Sequence, residues 1–527
     1  MRRSPIIHPF LFAIYPVLSV LTASLPLLNP IQAVRPTVII LSVSGLLLLI
    51  MHWFYKDWYR AGFMTSIVIM MLFYYGYSYR LPQEIHIFGI PILRHLIILC
   101  FWIVFLSILA SKWLWQRVRP HVITNFLNIS SGLAVLYALY LLAAYLFASS
   151  HDPLINWSRP LNTSEDTEQL AETYRPDIYY IILDGYARAD VLQEIYNYDN
   201  SGFLDNLRTR GFYVAENSYT NYNQTDLSLA SSLNFEYLDY LAFAKDVNTN
   251  REPIMNLMLN SRVRSWLEED GYQIYLSGEY IFAEESDPAL VFSVSEIQRL
   301  TTFESLLLES TMFEILIDLG HVNISNYTYQ THREKILNGF ADTVNLVNKK
   351  GPKFVFAHII APHPPFVFDQ DGNSVQPDWE YKIFDDRQLT GGFESYIEGY
   401  REELQYINGL VIKTIDNILQ HSTAPPIIIL QADHGPASLL DSTTNTSCLK
   451  ERYSILNAYY FPDGHDEALY STITPVNTFR IIFDSYFGTD LEILTDLNYF
   501  SIPKDPYRFT EVTNQVDTTC DISAYLR

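Results

Sequence analysis

Five apolar stretches crowd into the first 150 residues and constrain the fold more than anything that follows them. A helix needs about 20 mostly apolar residues to cross the hydrocarbon layer of a bilayer. Segments 6–25, 37–55, 63–79, 95–115 and 129–148 meet or approach that length, the third being the shortest. Five crossings put the two ends of this region on opposite sides, and charge decides which is which. One set of connections carries Arg2, Arg3, Lys56, Arg60, Lys112, Arg117 and Arg119; the alternate set carries only Arg35, Arg80 and Arg94. The positive-inside bias predicts a cytoplasmic N-terminus and puts everything from about Ser149 outside. Segment 6–25 has a basic start, but no A-x-A site follows it and four more spans do, so it reads as an anchor rather than a cleaved signal. The spans contain no acidic residue, which argues against a transport pathway.

Beyond residue 150 the chain changes character. Residues 1–150 carry ten Lys/Arg against Asp57 and Glu84, a balance of +8, whereas the remainder carries 25 basic and 56 acidic residues, a balance of −31. A domain that acidic repels nucleic acid and anionic surfaces at long range, so no nucleic-acid partner is expected. A phosphate-bearing substrate would need a local positive charge, for which a metal ion is the natural source. Cys100 lies in an apolar segment, while Cys448 and Cys520 fall late in the chain, where an oxidising compartment permits but does not require their pairing.

Residues 1–149 read as a helical membrane domain, 150–175 as a polar linker, 176–505 as a catalytic domain and 506–527 as an irregular tail. Within 176–505, apolar runs at 178–183, 211–215, 272–276, 353–360 and 426–430 alternate with amphipathic stretches at 202–209, 227–241, 262–269, 333–348 and 396–420. Strands separated by helices predict an α/β domain with a mostly parallel central sheet. In such sheets the site lies beyond the carboxyl ends of the strands. Asp184-Gly185 follows the first run, Ala361-Pro362-His363-Pro364-Pro365-Phe366 the fourth, and Gln431-Ala432-Asp433-His434-Gly435 the fifth.

Each signal also has an ordinary reading. Asp-Gly is a common turn pair, and His358 and His363 are residue types that often sit satisfied in a core. Thr225 opens the stretch Thr225-Asp226-Leu227-Ser228 after a Tyr/Asn-rich loop at 217–224, and Thr is a good N-cap. A hydroxyl there also faces the end of a helix that attracts phosphate, and coordination to a dication would make it a nucleophile.

The order of strand-end Asp184, helix-opening Thr225 and distant Asp433-His434-Gly435 resembles the alkaline phosphatase superfamily. The layout, five spans and then an extracytoplasmic domain, is similar to that of lipoteichoic-acid synthases and lipid A phosphoethanolamine transferases. The resemblance implies that Asp184, Thr225, Asp433 and His434 bind one Zn²⁺ or Mn²⁺, and that Thr225 attacks phosphorus to form a covalent intermediate. It implies that Ser228 holds a phosphate oxygen, and that His363, with His358 in the same region, binds substrate or protonates the leaving group. The partners implied are the lipid bilayer, a phospholipid donor and a glycan or lipid acceptor, at the cytoplasmic membrane of a cell with an envelope beyond it. Two departures stand out. Both transferase families use Glu where this chain has Asp184, and downstream of His434 only His465 remains, so a second metal site is not expected.

A sulfatase needs Cys or Ser in a C/S-x-P-x-R setting. No cysteine here has one and position 225 is Thr, so sulfuryl transfer is not expected. Hydrolysis with water as acceptor, or a catalytically inactive envelope scaffold, are the alternatives. The scaffold has no use for four intact metal-capable residues, and fold analogy does not name a substrate.

Overall fold

A computed structural model of the chain describes residues 4–24, 30–84, 91–111, 115–117, 119–151, 175–243, 251–278, 289, 300–318, 328–377, 381, 383, 385, 387–441 and 447–520. The expected linker falls almost wholly outside these residues. The chain divides into two compact units, residues 1–153 with 298–326, and residues 154–297 with 327–527.

The first unit holds α1 (His8–Ser24), α2 (Val34–Tyr55), α3 (Trp58–Glu84), α4 (Pro91–Ala110) and α5 (Pro120–His151). Among the described residues, Val34–Tyr55, Trp58–Tyr79 and Pro120–Phe147 are long and apolar enough to cross a membrane, while His8–Ala23 and His95–Ala110 are shorter apolar helices. The third segment, expected to be the shortest, lies in a helix of 27 residues. Polar residues at its ends prolong the helix past the apolar run, because hydropathy marks the solvent a segment prefers and not where its backbone bonds stop. Large apolar side chains such as Leu46, Phe101, Phe126 and Leu133 stay more than half exposed on these helices. A contiguous surface of that kind suits lipid rather than water.

Residues 298–326 correct the expected domain plan, which ran unbroken from 176 to 505. They fold with the N-terminal helices, through a helix Thr302–Glu309 whose Phe303 and Leu307 join Val17, Leu21 and Phe73 in one buried cluster. Locally this is an ordinary amphipathic helix, and its periodicity does not say which unit its apolar face will meet.

The second unit is built on a six-stranded sheet in the order β2-β6-β5-β1-β4-β3. Its strands are β1 (Ile178–Leu183), β2 (Tyr213–Val214), β3 (Gln273–Gly278), β4 (Lys353–Ile359), β5 (Ile427–Gln431) and β6 (Asn457–Tyr460). β1 pairs in parallel with both β4 and β5, β3 pairs in parallel with β4, and β6 runs antiparallel between β5 and β2. Alternate residues of β1 serve opposite faces. Tyr179, Ile181 and Leu183 pack with Tyr400, Leu404 and Ile407 of the helix Phe393–His421. Ile178, Tyr180 and Ile182 pack with Leu227, Leu233 and Phe479. Burial on both faces explains why β1, β4 and β5 read as continuous apolar runs.

Two expectations need revision. The helix expected at 227–241 ends at Asn234, where Phe235 turns left-handed at φ 42°, and a 3₁₀ turn follows at Asp239–Phe243. The tail expected to be irregular contains strand β8 (Asp505–Glu511), paired antiparallel with β7 (Tyr499–Ile502). Its Lys504-Asp505-Pro506 corner looks like a loop in sequence, and two short, half-exposed strands leave little apolar signal.

Candidate active site

Because β1 lies between β4 and β5, the segments leaving the carboxyl ends of all three emerge side by side. Asp184 follows β1 directly, and its amide donates to the Ile359 carbonyl at 3.0 Å, tying it to the end of β4. Asp433 and His434 follow β5. Thr225 comes from the helix Thr225–Asn234, whose N-cap is Gln224 and not Thr225. The threonine hydroxyl is therefore not spent on capping. It lies 2.9 Å from His434 Nε2.

His434 Nε2 also lies 3.2 Å from Asp433 Oδ2 and 3.7 Å from Asp184 Oδ1. One ligand atom from each of Asp184, Asp433 and His434 falls within 4.8 Å of the others, and all three residues are buried. Atoms held 2.0–2.2 Å from a tetrahedral ion stand about 3.3–3.6 Å apart, and the spacings here bracket that value. Asp184 Oδ1 and Asp433 Oδ2 are buried and accept no hydrogen bond among the described residues. Two such oxygens facing one imidazole form a costly arrangement without a cation and a favourable one with it, so the donor set fits a divalent metal.

The surroundings set the protonation each ligand needs. Burial works against ionising Asp184, but the imidazoles of His363, His358 and His434 outweigh it and hold the carboxyl well below the usual range. Burial and then the Arg452 charge push His434 down, against the opposing pull of Asp433, Asp184 and Asp385. A neutral imidazole is the form that binds metal. Its Nδ1 lies 3.0 Å from the Gly435 carbonyl; a carbonyl only accepts, so Nδ1 carries the proton and Nε2 presents its lone pair. Gly435 is needed for close approach, since a Cβ there would overlap the Glu451 carbonyl oxygen.

The other expected site residues divide. His363 is near the cluster, its ring centroid 6.4 Å from that of His434, and its Nδ1 lies 2.6 Å from the Pro364 carbonyl, which leaves Nε2 as the working nitrogen. His358 sits on β4, buried, with Nε2 3.3 Å from Asp184 Oδ2. It backs the carboxylate rather than facing outward as a substrate-side group would. Ser228 also departs from expectation. Its hydroxyl donates to the Asp433 backbone carbonyl at 2.7 Å and is met at 3.0 Å by Thr220 Oγ1, so it braces Asp433 instead of presenting itself to a phosphate. His465, in the 3₁₀ turn Pro462–Ala468, meets Tyr486 edge to face.

Several contributors escaped the sequence reading. Arg452 donates to the carbonyls of Asn223 (2.9 Å) and Gly435 (2.8 Å), joining the loop before Thr225 to the turn after His434. It also pairs with Asp385, which accepts from Tyr396 at 2.6 Å. Burial opposes ionisation of Asp385, yet Arg452, with His363 and His434, holds its carboxyl below the usual range. In sequence, Lys450-Glu451-Arg452 looks like an exposed charged helix; all three are buried. The Asn-rich loop at 217–224 is braced by the C-terminal hairpin. Asn223 and Gln224 side chains donate to the Ser501 carbonyl at 3.0 and 3.1 Å, and Asn498 donates to the Thr220 carbonyl at 2.7 Å. Cys448 and Cys520, left open by the sequence, form a disulfide.

A family model described as Sulfatase matches residues 176–479. No curated protein matches the chain. Among solved structures, the C-terminal periplasmic domain of EptC from Escherichia coli aligns at 14% identity over 68% of this chain and 98% of that one, with a TM-score of 0.40. The C-terminal periplasmic domain of phosphoethanolamine transferase EptC from Campylobacter jejuni aligns at 11% identity over 60% and 91%, with a TM-score of 0.35. A putative sulfatase from Bacteroides thetaiotaomicron aligns at 13% over 62% and 78%, with a TM-score of 0.36.

Proposed function

Because this chain belongs to the sulfatase family, we propose that it is a membrane-anchored, metal-dependent phosphotransferase that moves a phosphorylated head group from a phospholipid to a glycan or lipid acceptor. The observation that carries this reading is the convergence of the unpartnered Asp184 Oδ1 and Asp433 Oδ2 on His434 Nε2, with the Thr225 hydroxyl beside them. Threonine at the nucleophile position is not a source of formylglycine, which favours phosphoryl over sulfuryl transfer.

Asp184, Asp433, His434 and Thr225 would hold one Zn²⁺ or Mn²⁺. The bound ion would lower the hydroxyl pKa and neutralise charge on the phosphoryl oxygens. With its proton already lost to solvent, Thr225 Oγ1 would attack phosphorus, the bond from phosphorus to the lipid alkoxide would break, and phosphothreonine would form. His363 would give its Nε2 proton to the departing oxygen. The acceptor hydroxyl then attacks the same phosphorus, returning that proton to His363 and freeing Thr225. Ser228 and Thr220 hold Asp433, His358 holds Asp184, and Arg452 keeps the two catalytic segments in register.

In this reading the catalytic domain lies outside the cytoplasmic membrane. The charge asymmetry of the connections supports this, as does the Cys448–Cys520 bond, which suits an oxidising compartment. Confinement near the bilayer favours a lipid-borne donor through effective concentration.

The test uses the full-length chain in detergent, with and without chelator, and bis(nitrophenyl) phosphate as donor. Chelator-sensitive release of nitrophenol, absent in Thr225→Ala, is expected. Protein that retains no divalent metal after dialysis against it would sink the reading.

A further inference from the structure

Residues 300–318 interrupt the catalytic domain in sequence yet belong to the helical unit. Thr301 and Glu304 form a capping box that starts the helix Thr302–Glu309, and a short helix Glu314–Asp318 follows. One face of this element is committed. Phe303 and Leu307 are buried against α1 and α3, and Arg35 at the start of α2 donates through Nε to Glu304 at 2.5 Å.

The backbone is committed as well. Gly76 N–H of α3 donates to the Ser310 carbonyl at 3.1 Å, and Met312 N–H donates to the Leu72 carbonyl at 2.9 Å. Residues 310–312 therefore pair with the main chain of α3. Position 76 has to be glycine for this, because a Cβ would overlap the Glu309 carbonyl oxygen. Leu72 and Gly76 stand about 21 and 27 Å along α3 from Trp58 at 1.5 Å per residue. In a hydrocarbon layer about 30 Å thick that is the far part of the span. With the five crossings expected from the sequence, the C-terminal parts of α1 and α3 lie on the side on which the chain continues after α5. Residues 300–318 meet those same parts.

Other side chains of the element are apolar and open: Leu306 is 38% exposed, Phe313 46% and Leu316 37%. Tyr74 and Tyr77 of α3, also exposed, lie at the same level, as ring side chains do at a membrane interface. Backbone seated in lipid must have its polar groups satisfied by protein, and the capping box and the pairing with α3 do this.

We propose that residues 300–318 are a re-entrant part of the membrane anchor, with Leu306, Phe313 and Leu316 in contact with the acyl chains of the outer leaflet. The catalytic domain is then tied to the membrane unit by chain passing at residues 153, 297 and 326, and not by the linker alone. This rests on the outside placement of the catalytic domain proposed above.

The test uses full-length protein carrying Cys100→Ser, which leaves only the bonded cysteines. A nitroxide is attached at Phe313→Cys or Leu316→Cys, with Leu133→Cys on α5 and Glu216→Cys on the catalytic domain as references. In phospholipid nanodiscs, power saturation compares collisions with oxygen, which concentrates in lipid, and with a water-soluble nickel chelate. Labels at 313 and 316 are expected to favour oxygen, as the label at 133 does. Labels there that favour nickel, as the one at 216 does, overturn the proposal. Adding Gly76→Leu is expected to shift the label at 313 towards nickel and leave that at 133 unchanged; an unshifted label at 313 would refute the pairing with α3 as what seats the element. Neither measurement requires turnover, so failure here is distinct from failure of the metal chemistry.

Discussion

Thr225 Oγ1 lies 2.9 Å from His434 Nε2 although 209 residues separate them. The hydroxyl points at the His434 imidazole and caps nothing, so its removal tests chemistry more than folding. Thr225→Ala is expected to lower turnover by at least about 10³-fold while leaving three ligands to retain metal. Metal content by mass spectrometry, measured beside the rate, separates these effects.

Ser228 and Thr220 both bond to the Asp433 backbone carbonyl. Ser228→Ala should weaken metal retention and leave the KM for a small phosphodiester nearly unchanged. A raised KM with metal affinity intact would return Ser228 to the substrate-binding role expected from sequence.

Metal should stabilise the fold through its ligands. Added Zn²⁺ or Mn²⁺ is expected to raise the Tm of the wild-type protein, by linkage worth about 2.7 kcal/mol at 100 times Kd. Asp184→Asn and Asp433→Asn should abolish that rise. In metal-free protein Asp184→Asn should melt below wild type at neutral pH, since the imidazoles around it favour its ionised carboxyl in the folded state.

Glu403 lies fully buried and accepts the amides of Val367 (2.6 Å) and Phe368 (3.2 Å), which anchors the segment carrying His363. Burial raises its carboxyl from 4.5 to about 8. The native state then holds a proton the unfolded state has lost. The associated stability is complete below about pH 4.5 and drains away as pH rises towards 8. Glu403→Gln should flatten this dependence, with a Tm advantage over wild type that grows between pH 6 and about 9. Parallel melting curves for the two proteins across that range would contradict the assignment.

Arg452 and Asp385 form a pair with little exposed side chain, 6% and 8%. Removing one partner of such a pair strands the other charge, at a cost of about 3–5 kcal/mol. Arg452→Met should therefore lower Tm sharply, and Arg452→Met with Asp385→Leu should recover much of the loss. Additive losses in a double-mutant cycle would show the two residues to be independent.

Much of the fold was legible. Strands at 178–183 and 353–360 were read almost to the residue because both faces are buried and the apolar run has sharp ends. The convergence of Asp184, Asp433 and His434 was legible because segments leaving the carboxyl ends of parallel strands meet at one edge of the sheet. For Ser228 and His358 the sequence names the neighbourhood and not the contacts with Asp433 and Asp184, since a residue's position in sequence does not say where its side chain turns. Arg452, Asp385 and the bracing of Asn223 by Ser501 left no local signal at all.

By itself the sequence determined a helical apolar region followed by an acidic α/β domain, along with the residue types at each strand end. Those depend on hydropathy and periodicity, which act within a dozen residues. Only the tertiary structure decided that β1 lies between β4 and β5, that Cys448 meets Cys520, and that residues 300–318 return to α1 and α3. Such contacts join positions tens to hundreds of residues apart, and they exist because packing and the satisfaction of buried polar groups are settled over the whole chain at once.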